Sequence, residues 1–137
     1  MILPPDASAT TLIIGLGNPI LGDDGVGWRV AEAVKSRLET GIPGLTQQVE
    51  IDYLAVGGLS LMERLIGYRK AILIDAIITN QCPQGTVQQF PFAELPNRAF
   101  GHLCSSHDTT LQNALEMGRR MGAALPEQIF VVGVEAQ

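Results

Sequence analysis

The stretch that most constrains the fold runs from Thr11 to Gly27, with the sequence TLIIGLGNPILGDDGVG. It opens with the apolar run Leu12 to Ile14, of the kind that a strand buried on both faces requires. Gly15 and Gly17 then allow a sharp turn without clashes at Cβ, and Gly25 to Gly27 leads into a predicted helix. A strand, a glycine turn and a helix form the first half of a βαβ unit, whose ligands gather beyond the carboxyl ends of the strands.

The spacing of apolar residues predicts the remaining elements. The run KAILIDAII is short and rich in β-branched residues, which favours a central parallel strand. The order of elements predicts an α/β fold with one largely parallel sheet and helices on both faces. After the first strand the predicted elements are a helix from Val26 to about Glu39, a strand over 49–54, a short helix over 59–67, the strand over 70–78, an edge strand over 86–92, a long helix capped by Ser105, Ser106 or Asp108 and ended by Pro126, and a strand over 128–134.

Length and composition indicate one domain with a real core. Residues 1–10, which include Pro4 and Pro5, are expected to form a loose leader, and residues 11–137 a single α/β domain. The hydrophobic fraction of 46% and a mean hydropathy of +0.20 indicate enough apolar surface for that core. Cys82 and Cys104 do not have a metal-type spacing, and we expect reduced thiols in a cytoplasmic protein.

Charge and hydropathy argue against two classes of partner. The net charge of -5 and the scattered basic residues disfavour nucleic acid, whose phosphates require clustered Lys and Arg. No apolar run approaches the roughly 20 residues that span a bilayer. We therefore expect neither a nucleic-acid partner nor a membrane-spanning segment.

Three side chains with metal-ligand chemistry fall where strand ends should converge. Asp24 lies in the first strand-to-helix turn, Asp75 near the end of the core strand, and His107 at the start of the last helix. Two carboxylates and an imidazole suit Zn²⁺, Ni²⁺ or Mn²⁺ and leave a position for water or substrate. Taken singly, Asp23 or Asp24 can cap the first helix, and Asp75 can accept backbone N–H groups. His107 can merely stand at a helix start, but the convergence of the three favours a site.

Other local patterns are weaker. The GLGNP turn resembles a phosphate cradle, but it lacks the third glycine of a dinucleotide fingerprint, and Pro19 removes an N–H donor. Ser105 and Ser106 lie in no Gly-x-Ser-x-Gly elbow. Cys104 has histidines nearby, yet no third group that would orient a thiol nucleophile is identified. The structural interpretation is therefore favoured for each.

Four motifs in order give a more specific indication: GLGNPILGDDGVG, ILIDAI, SSHD and VVGVE. Together they resemble the nickel-iron hydrogenase maturation endopeptidases, from about Leu12 to Glu135. The resemblance implies a three-layer αβα sandwich of the phosphorylase/hydrolase-like type, with a twisted, mostly parallel sheet. It also implies that Asp24, Asp75 and His107 form a metal-binding triad.

The resemblance implies a function as well. The substrate would be a hydrogenase large-subunit precursor, from which a C-terminal extension is cut once nickel has been inserted. Nickel would come with the substrate, with Zn, Cd or Mn as surrogates, and would mark the precursor as ready and polarise the scissile carbonyl. Within the family, an alternative gives Asp24 and Asp75 an acid-base role in catalysis.

Two functions from other classes stay open at this point. One is a non-catalytic, metal-dependent binder of the precursor. The other is a peptidyl-tRNA hydrolase, because GLGNP also opens those enzymes. Against the second, the characteristic Thr-Arg-His-Asn stretch is absent and the acidic chain suits tRNA poorly.

The chain also departs from the family pattern. Family members usually continue into a C-terminal helix, whereas this sequence ends at Gln137. The resemblance therefore predicts a domain without that helix, and an open apolar sheet face beside Phe130, Val132 and Val134. An open apolar face promotes association, so a homodimer or poor solubility is expected.

Overall fold

The computed structural model describes residues 9–17, 25–42, 48–55, 57–94 and 110–136. Within these ranges strands and helices alternate along most of the chain, as the apolar spacing predicts. In chain order the elements are β1 (Ala9–Leu16), α1 (Val26–Thr40), β2 (Gln48–Leu54), α2 (Gly58–Leu65), β3 (Lys70–Ile77), β4 (Val87–Pro91), a short 3-10 turn (Phe92–Glu94), α3 (Leu111–Arg120) and β5 (Gln128–Glu135).

The strands form one sheet in the order β2-β1-β3-β5-β4. β1 pairs in parallel with β2 and β3, and β3 pairs in parallel with β5. β4 runs antiparallel to β5. The predicted α/β class with a mostly parallel sheet is confirmed.

Helices cover both faces of this sheet. α1 packs on one face, where Ala31 lies in an apolar cluster with Ile13 and Ile74. α2 and α3 contact each other on the opposite face, over a larger apolar cluster. The arrangement has three layers, as expected. Fully buried side chains of the larger cluster include Leu12, Ile14, Leu61, Leu65, Leu73, Leu111 and Leu115.

Predictions about strand position are confirmed at the centre and for the edge strand β4. The KAILIDAII run forms the central strand β3 and ends at Ile77. β2, whose apolar residues alternate only in part, forms one edge. β4 forms the other edge, where Pro91, which lacks an N–H donor, is tolerated.

The predicted boundary of the N-terminal leader at residue 10 is wrong. β1 begins at Ala9, because Ala9 pairs with Gln48 of β2, and the register shifts between Ala9 and Thr11. The strand is thus extended backwards by pairing with a neighbour that lies far along the chain. Residues 1–8 are outside the described ranges.

The predicted ends of the last helix are also wrong. Thr110 is the N-cap of α3, and its hydroxyl oxygen accepts the N–H of Asn113 at 3.2 Å. Ser105, Ser106 and Asp108, the predicted caps, lie outside the described residues. Capping needs a residue directly before the first helical turn, which is the position that Thr110 occupies.

Gly122 ends α3 well before the predicted stop at Pro126. Gly122 has a φ of 83°, and its N–H donates to the carbonyl of Arg119 at 3.1 Å. The next N–H, that of Ala123, donates to the carbonyl of Gly118 at 2.9 Å. This pair of bonds is the Schellman motif, which places a left-handed glycine just past the helix. Met121, which directly precedes this glycine, is 79% exposed.

The predicted open sheet face is found only in part. Phe130 and Val132 are half-buried, and the Nζ of Lys70 lies 5.3 Å from the centroid of the Phe130 ring. Val134 is only 8% exposed, so the prediction is wrong for this residue. Val134 lies in register between apolar Ala76 and Val87, and such cross-strand neighbours shield one another.

Membrane insertion was not expected from hydropathy. None of the helices in the described ranges is long and apolar enough to cross a bilayer.

Leu73 provides a direct test of the core. Its side chain is completely buried in β3. Leu73→Ala should lower the free energy of unfolding by about 2 to 5 kcal/mol, because the lost atoms leave a cavity. Urea denaturation followed by circular dichroism measures the change. Leu59→Ala, at an α2 position that is 39% exposed, is the control and should cost less than about 1 kcal/mol; equal losses would contradict the assignment of Leu73 to the core.

Candidate functional site

The four parallel strands end at one edge of the sheet. We call this the C-terminal edge and define it by the last strand residues Leu16, Leu54, Ile77 and Glu135. Gly17, directly after β1, has a φ of 128°, which favours glycine, and its N–H donates to the carbonyl of Leu54 at 3.0 Å. The predicted glycine turn therefore leaves the sheet at this edge.

Asp75 lies near the C-terminal edge, two residues before the end of β3, and its side chain is 0% exposed. Because strand side chains alternate, Asp75 shares with Leu73 and Ile77 the face that α2 and α3 cover. Its partner in register on β5 is Gly133, which adds no side chain beside the carboxylate. Fully buried carboxylates are rare. Asp75 therefore lies where the sequence predicts it, in a setting typical of a functional group.

α1 begins against the strand ends next to Asp75. A Cβ on Gly27 would lie 2.4 Å from the carbonyl oxygen of Leu16 and 2.5 Å from that of Ile74. A Cβ on Gly15 of β1 would lie 2.6 Å from the carbonyl oxygen of Gly27. Glycine at both positions lets the helix approach the strand backbones this closely. The first turn of α1 consequently lies beside the residue that precedes Asp75.

Trp28, which the motifs did not single out, fastens the same helical turn to β2. Its Nε1 donates to the carbonyl of Leu54 at 3.2 Å, and this oxygen also accepts the N–H of Gly17. Its ring packs on Tyr53, with centroids 5.3 Å apart. The start of the glycine turn and the start of α1 thus share one acceptor at the C-terminal edge. The sequence feature that could have drawn attention to Trp28 is that it is the single tryptophan of the chain.

Asp24 and His107 lie outside the described residues, so no contact among the three predicted ligands is described. The N-cap of α1 is Gly25, and neither Asp23 nor Asp24 occupies that position. The capping interpretation of these two residues is wrong in that form.

In the sequence, His107 precedes Thr110, the N-cap of α3, by three residues. α3 packs on the sheet face that carries Asp75, through the buried residues Leu111 and Leu115.

The weaker candidates gain no support. His102, Cys104, Ser105 and Ser106 are outside the described residues. Cys82 is a half-buried free cysteine that accepts a hydrogen bond from Gln88 Nε2 at 3.3 Å. Within the described ranges no group of three or more His, Cys, Asp and Glu side chains could hold a metal ion.

Glu135 is a buried acid at the C-terminal edge that was only part of a motif in the sequence. Its carboxylate accepts the N–H of Thr79 at 2.8 Å, the N–H of Asn80 at 3.4 Å and the hydroxyl of Thr79. The Thr79 hydroxyl, assisted by both N–H groups, lowers the pKa of Glu135 against the opposing effect of burial. The contribution of the ionised Glu135 carboxylate to folding stability is therefore complete above its pKa in the unfolded state. This contribution is lost as the pH falls through the lower pKa of Glu135 in the folded state.

A cavity of about 740 Å³ opens elsewhere, between α3, the end of β4 and the start of β5. It contains neither Asp75 nor Glu135, and it lies at the opposite end of β5 from the C-terminal edge. Its lining includes Phe92, Leu115, Arg119, Gln128 and Phe130.

Comparison with known proteins gives one consistent result. The family model described as HycI, hydrogenase maturation protease, matches residues 29–137. The chain is 29% identical over 123 residues to the hydrogenase 2 maturation protease of Escherichia coli (strain K12), covering 90% of this chain and 71% of that protein. It is 29% identical over 133 residues to the hydrogenase expression/formation protein HupD of Rhizobium leguminosarum bv. viciae, covering 97% of this chain and 62% of that protein.

Solved structures agree in fold. The hydrogenase maturating endopeptidase HybD from Escherichia coli superposes with a TM-score of 0.66 at 25% identity, over 93% of this chain and 75% of that chain. The nickel-iron hydrogenase maturation protease HybD from Thermococcus kodakarensis gives a TM-score of 0.62 at 24% identity, over 93% and 80%.

Proposed function

The chain belongs to the hydrogenase maturation protease family, and on this premise we propose that it removes the C-terminal extension of a nickel-loaded nickel-iron hydrogenase large-subunit precursor. Membership places the chain among peptidases. The observation that carries the proposal is the family match over residues 29–137, most of the chain, which includes the buried Asp75. The match also argues against the alternative of a peptidyl-tRNA hydrolase.

In this proposal the metal arrives as part of the substrate. Asp24, Asp75 and His107 would contact the nickel of the precursor, because carboxylate oxygens and an imidazole nitrogen are suitable donors for it. The fit of Asp75 is supported by its complete burial at the end of the central strand, next to the first turn of α1. Zn, Cd or Mn are the expected surrogates in vitro.

In the proposed cleavage, the substrate and the protein contribute different chemical groups. Bound nickel supplies a Lewis acid that polarises a carbonyl oxygen. The chain's own task is then to hold the precursor with the scissile peptide near Asp24 and Asp75. In the alternative mechanism one of these aspartates, unprotonated, takes a proton from the attacking water, and a protonated carboxyl group delivers a proton to the leaving amine.

Dependence on nickel is the central prediction of this proposal. Nickel-loaded precursor incubated with the protein should lose its C-terminal extension, whereas apo precursor should keep it, because the recognition element is missing. The intact mass of the large subunit measures cleavage.

Precursor loaded with zinc, an expected surrogate, should also be cleaved, because the same carboxylate and imidazole donors bind Zn²⁺. Equal cleavage of apo and nickel-loaded precursor would contradict nickel recognition. Binding of the nickel-loaded form without any cleavage would instead support the non-catalytic binder.

We also propose a cytoplasmic location, as expected for a chain with reduced thiols; Cys82 is a free cysteine. The homodimer stays a prediction, and its basis is limited to the half-buried Phe130 and Val132.

A further inference from the structure

One residue holds both ends of the connection that follows Asp75. At the beginning of the connection, the Glu135 carboxylate binds Thr79 and Asn80, as described above. At its end, the N–H of Glu135 donates to the carbonyl of Thr86, and the N–H of Gly85 donates to the carbonyl of Glu135, both at 2.8 Å. The connection between β3 and β4 is therefore closed on the last residue of β5.

Glu135 is also placed close to Asp75 by the sheet itself. Ile77 and Glu135 are partners in register, as are Asp75 and Gly133. Glu135 therefore projects on the same sheet face as Asp75, displaced along the strands by two residues, or about 7 Å. At 3% exposure its carboxylate is turned into the protein rather than toward solvent.

The residues of the turn that Glu135 binds do not by themselves favour its conformation. Asn80 has a φ of 58°, the left-handed region that non-glycine residues adopt uncommonly. Ile78, the first residue after β3, is 51% exposed, so burial of its side chain contributes little to stabilising the turn. The hydrogen bonds to the buried carboxylate are the specific interactions that keep Thr79 and Asn80 in this arrangement.

We propose that Glu135 is a positioning residue whose carboxylate holds the Thr79–Asn80 turn in place. The turn then holds the end of β3, the strand that carries Asp75. The role in cleavage rests on the function proposed above. Glu135 does not itself contact the scissile peptide. Its contribution is the orientation of Asp75 in the complex with substrate, where a displacement of 1 Å can cost about 10²-fold in rate.

Glu135→Ala should lower kcat for nickel-loaded precursor by about 10²-fold, while KM changes less than about threefold, because the loss concerns orientation rather than binding. Glu135→Gln retains one acceptor oxygen and should give a smaller loss, about tenfold. Thr79→Val removes the hydroxyl, which donates to the Glu135 carboxylate and accepts the N–H of Gln81 at 3.2 Å, and it should fall in the same range as Glu135→Gln. Glu127→Gln, at an exposed acid next to the other end of β5, is the matched control and should match wild type.

Amide hydrogen exchange provides a readout that does not depend on cleavage. In wild type, the N–H groups of Thr79 and Asn80 should exchange slowly, and in Glu135→Ala they should exchange at least about tenfold faster, since local opening frees them. Exchange at Leu73, in the core, should change much less, which separates a local effect from global unfolding.

The outcomes separate this inference from the proposed function. Fast exchange at Thr79 in wild type, or unchanged kcat in Glu135→Ala, overturns the positioning role. A wild type that does not cleave while its exchange pattern depends on Glu135 overturns the proposed function and leaves the fixed turn supported. An equal loss of activity in Glu127→Gln would assign the effect to surface charge and also overturn the role.

Discussion

Asp75→Asn is expected to reduce cleavage of nickel-loaded precursor by about 10²-fold or more, without unfolding the protein. The amide has nearly the shape of the carboxylate, so packing at this completely buried position is retained. It carries no negative charge, however, and is both a poorer metal ligand and no proton acceptor. Loss of a positioned acid or base costs about 10² to 10⁴ in rate, so a large effect is expected under either mechanism.

Asp52→Asn is the matched control for this experiment. Asp52 is an aspartate on the edge strand β2, where it forms a 2.7 Å ion pair with Arg64 and is partly exposed. Cleavage should stay within about twofold of wild type, because pairs of this kind contribute about 1 kcal/mol or less to stability and β1 separates this strand from β3, which carries Asp75. Intact mass and circular dichroism should be recorded for both variants.

Variants at the two other predicted ligands extend the test. Asp24→Asn and His107→Ala should lose cleavage as Asp75→Asn does, and His107→Ala should also weaken binding of Ni²⁺ or Zn²⁺ measured by calorimetry. Undiminished cutting by all three variants would leave the proposed site without support.

Among substitutions that add one methyl group to α1, Gly27→Ala should lower the free energy of unfolding most. The new Cβ would lie 2.4 and 2.5 Å from two carbonyl oxygens, those of Leu16 and Ile74, and backbone atoms cannot move aside as a flexible side chain can. We expect the free energy of unfolding to fall by about 3 kcal/mol. Cleavage should fall as well, because the new methyl group pushes the start of α1 away from the end of β3, the strand that carries Asp75.

The expected loss of stability in Gly27→Ala is opposite to the usual effect of this substitution in a helix. Alanine in place of glycine within a helix normally stabilises it by about 0.5 to 1 kcal/mol, so a gain in stability would contradict the close approach of helix and strands. Ser36→Ala, at an exposed position of the same helix, is the control and should change the free energy by less than about 0.5 kcal/mol. Urea denaturation and the cleavage assay provide the two measurements.

The order of elements and the location of Asp75 could be predicted because both depend on local patterns. The apolar run of β3 is buried on both faces, and a buried strand must be apolar whatever its neighbours are. A lone acid in such a run is therefore visible without a structure. Pro91 similarly marks an edge strand, since its missing N–H is incompatible with a central position.

Helix ends were predicted less well because competing signals lie close together. Pro126 is a strong stop, but Gly122 takes the left-handed position first and completes a Schellman motif with Gly118 and Arg119. Thr110 likewise caps α3 in preference to the earlier polar residues. Either choice is locally acceptable, and the docking of Leu111 and Leu115 on the sheet selects between them.

The sequence by itself determined the α/β class, the family and the identity of the acid on the central strand, since these follow from periodicity and from ordered motifs. Only the tertiary structure decided that Gly27 contacts the backbone of Leu16 and Ile74, and that Glu135 binds Thr79, 56 residues earlier in the chain. Such contacts depend on strand order and register. No local pattern encodes them, because the partners become neighbours only when the sheet has formed.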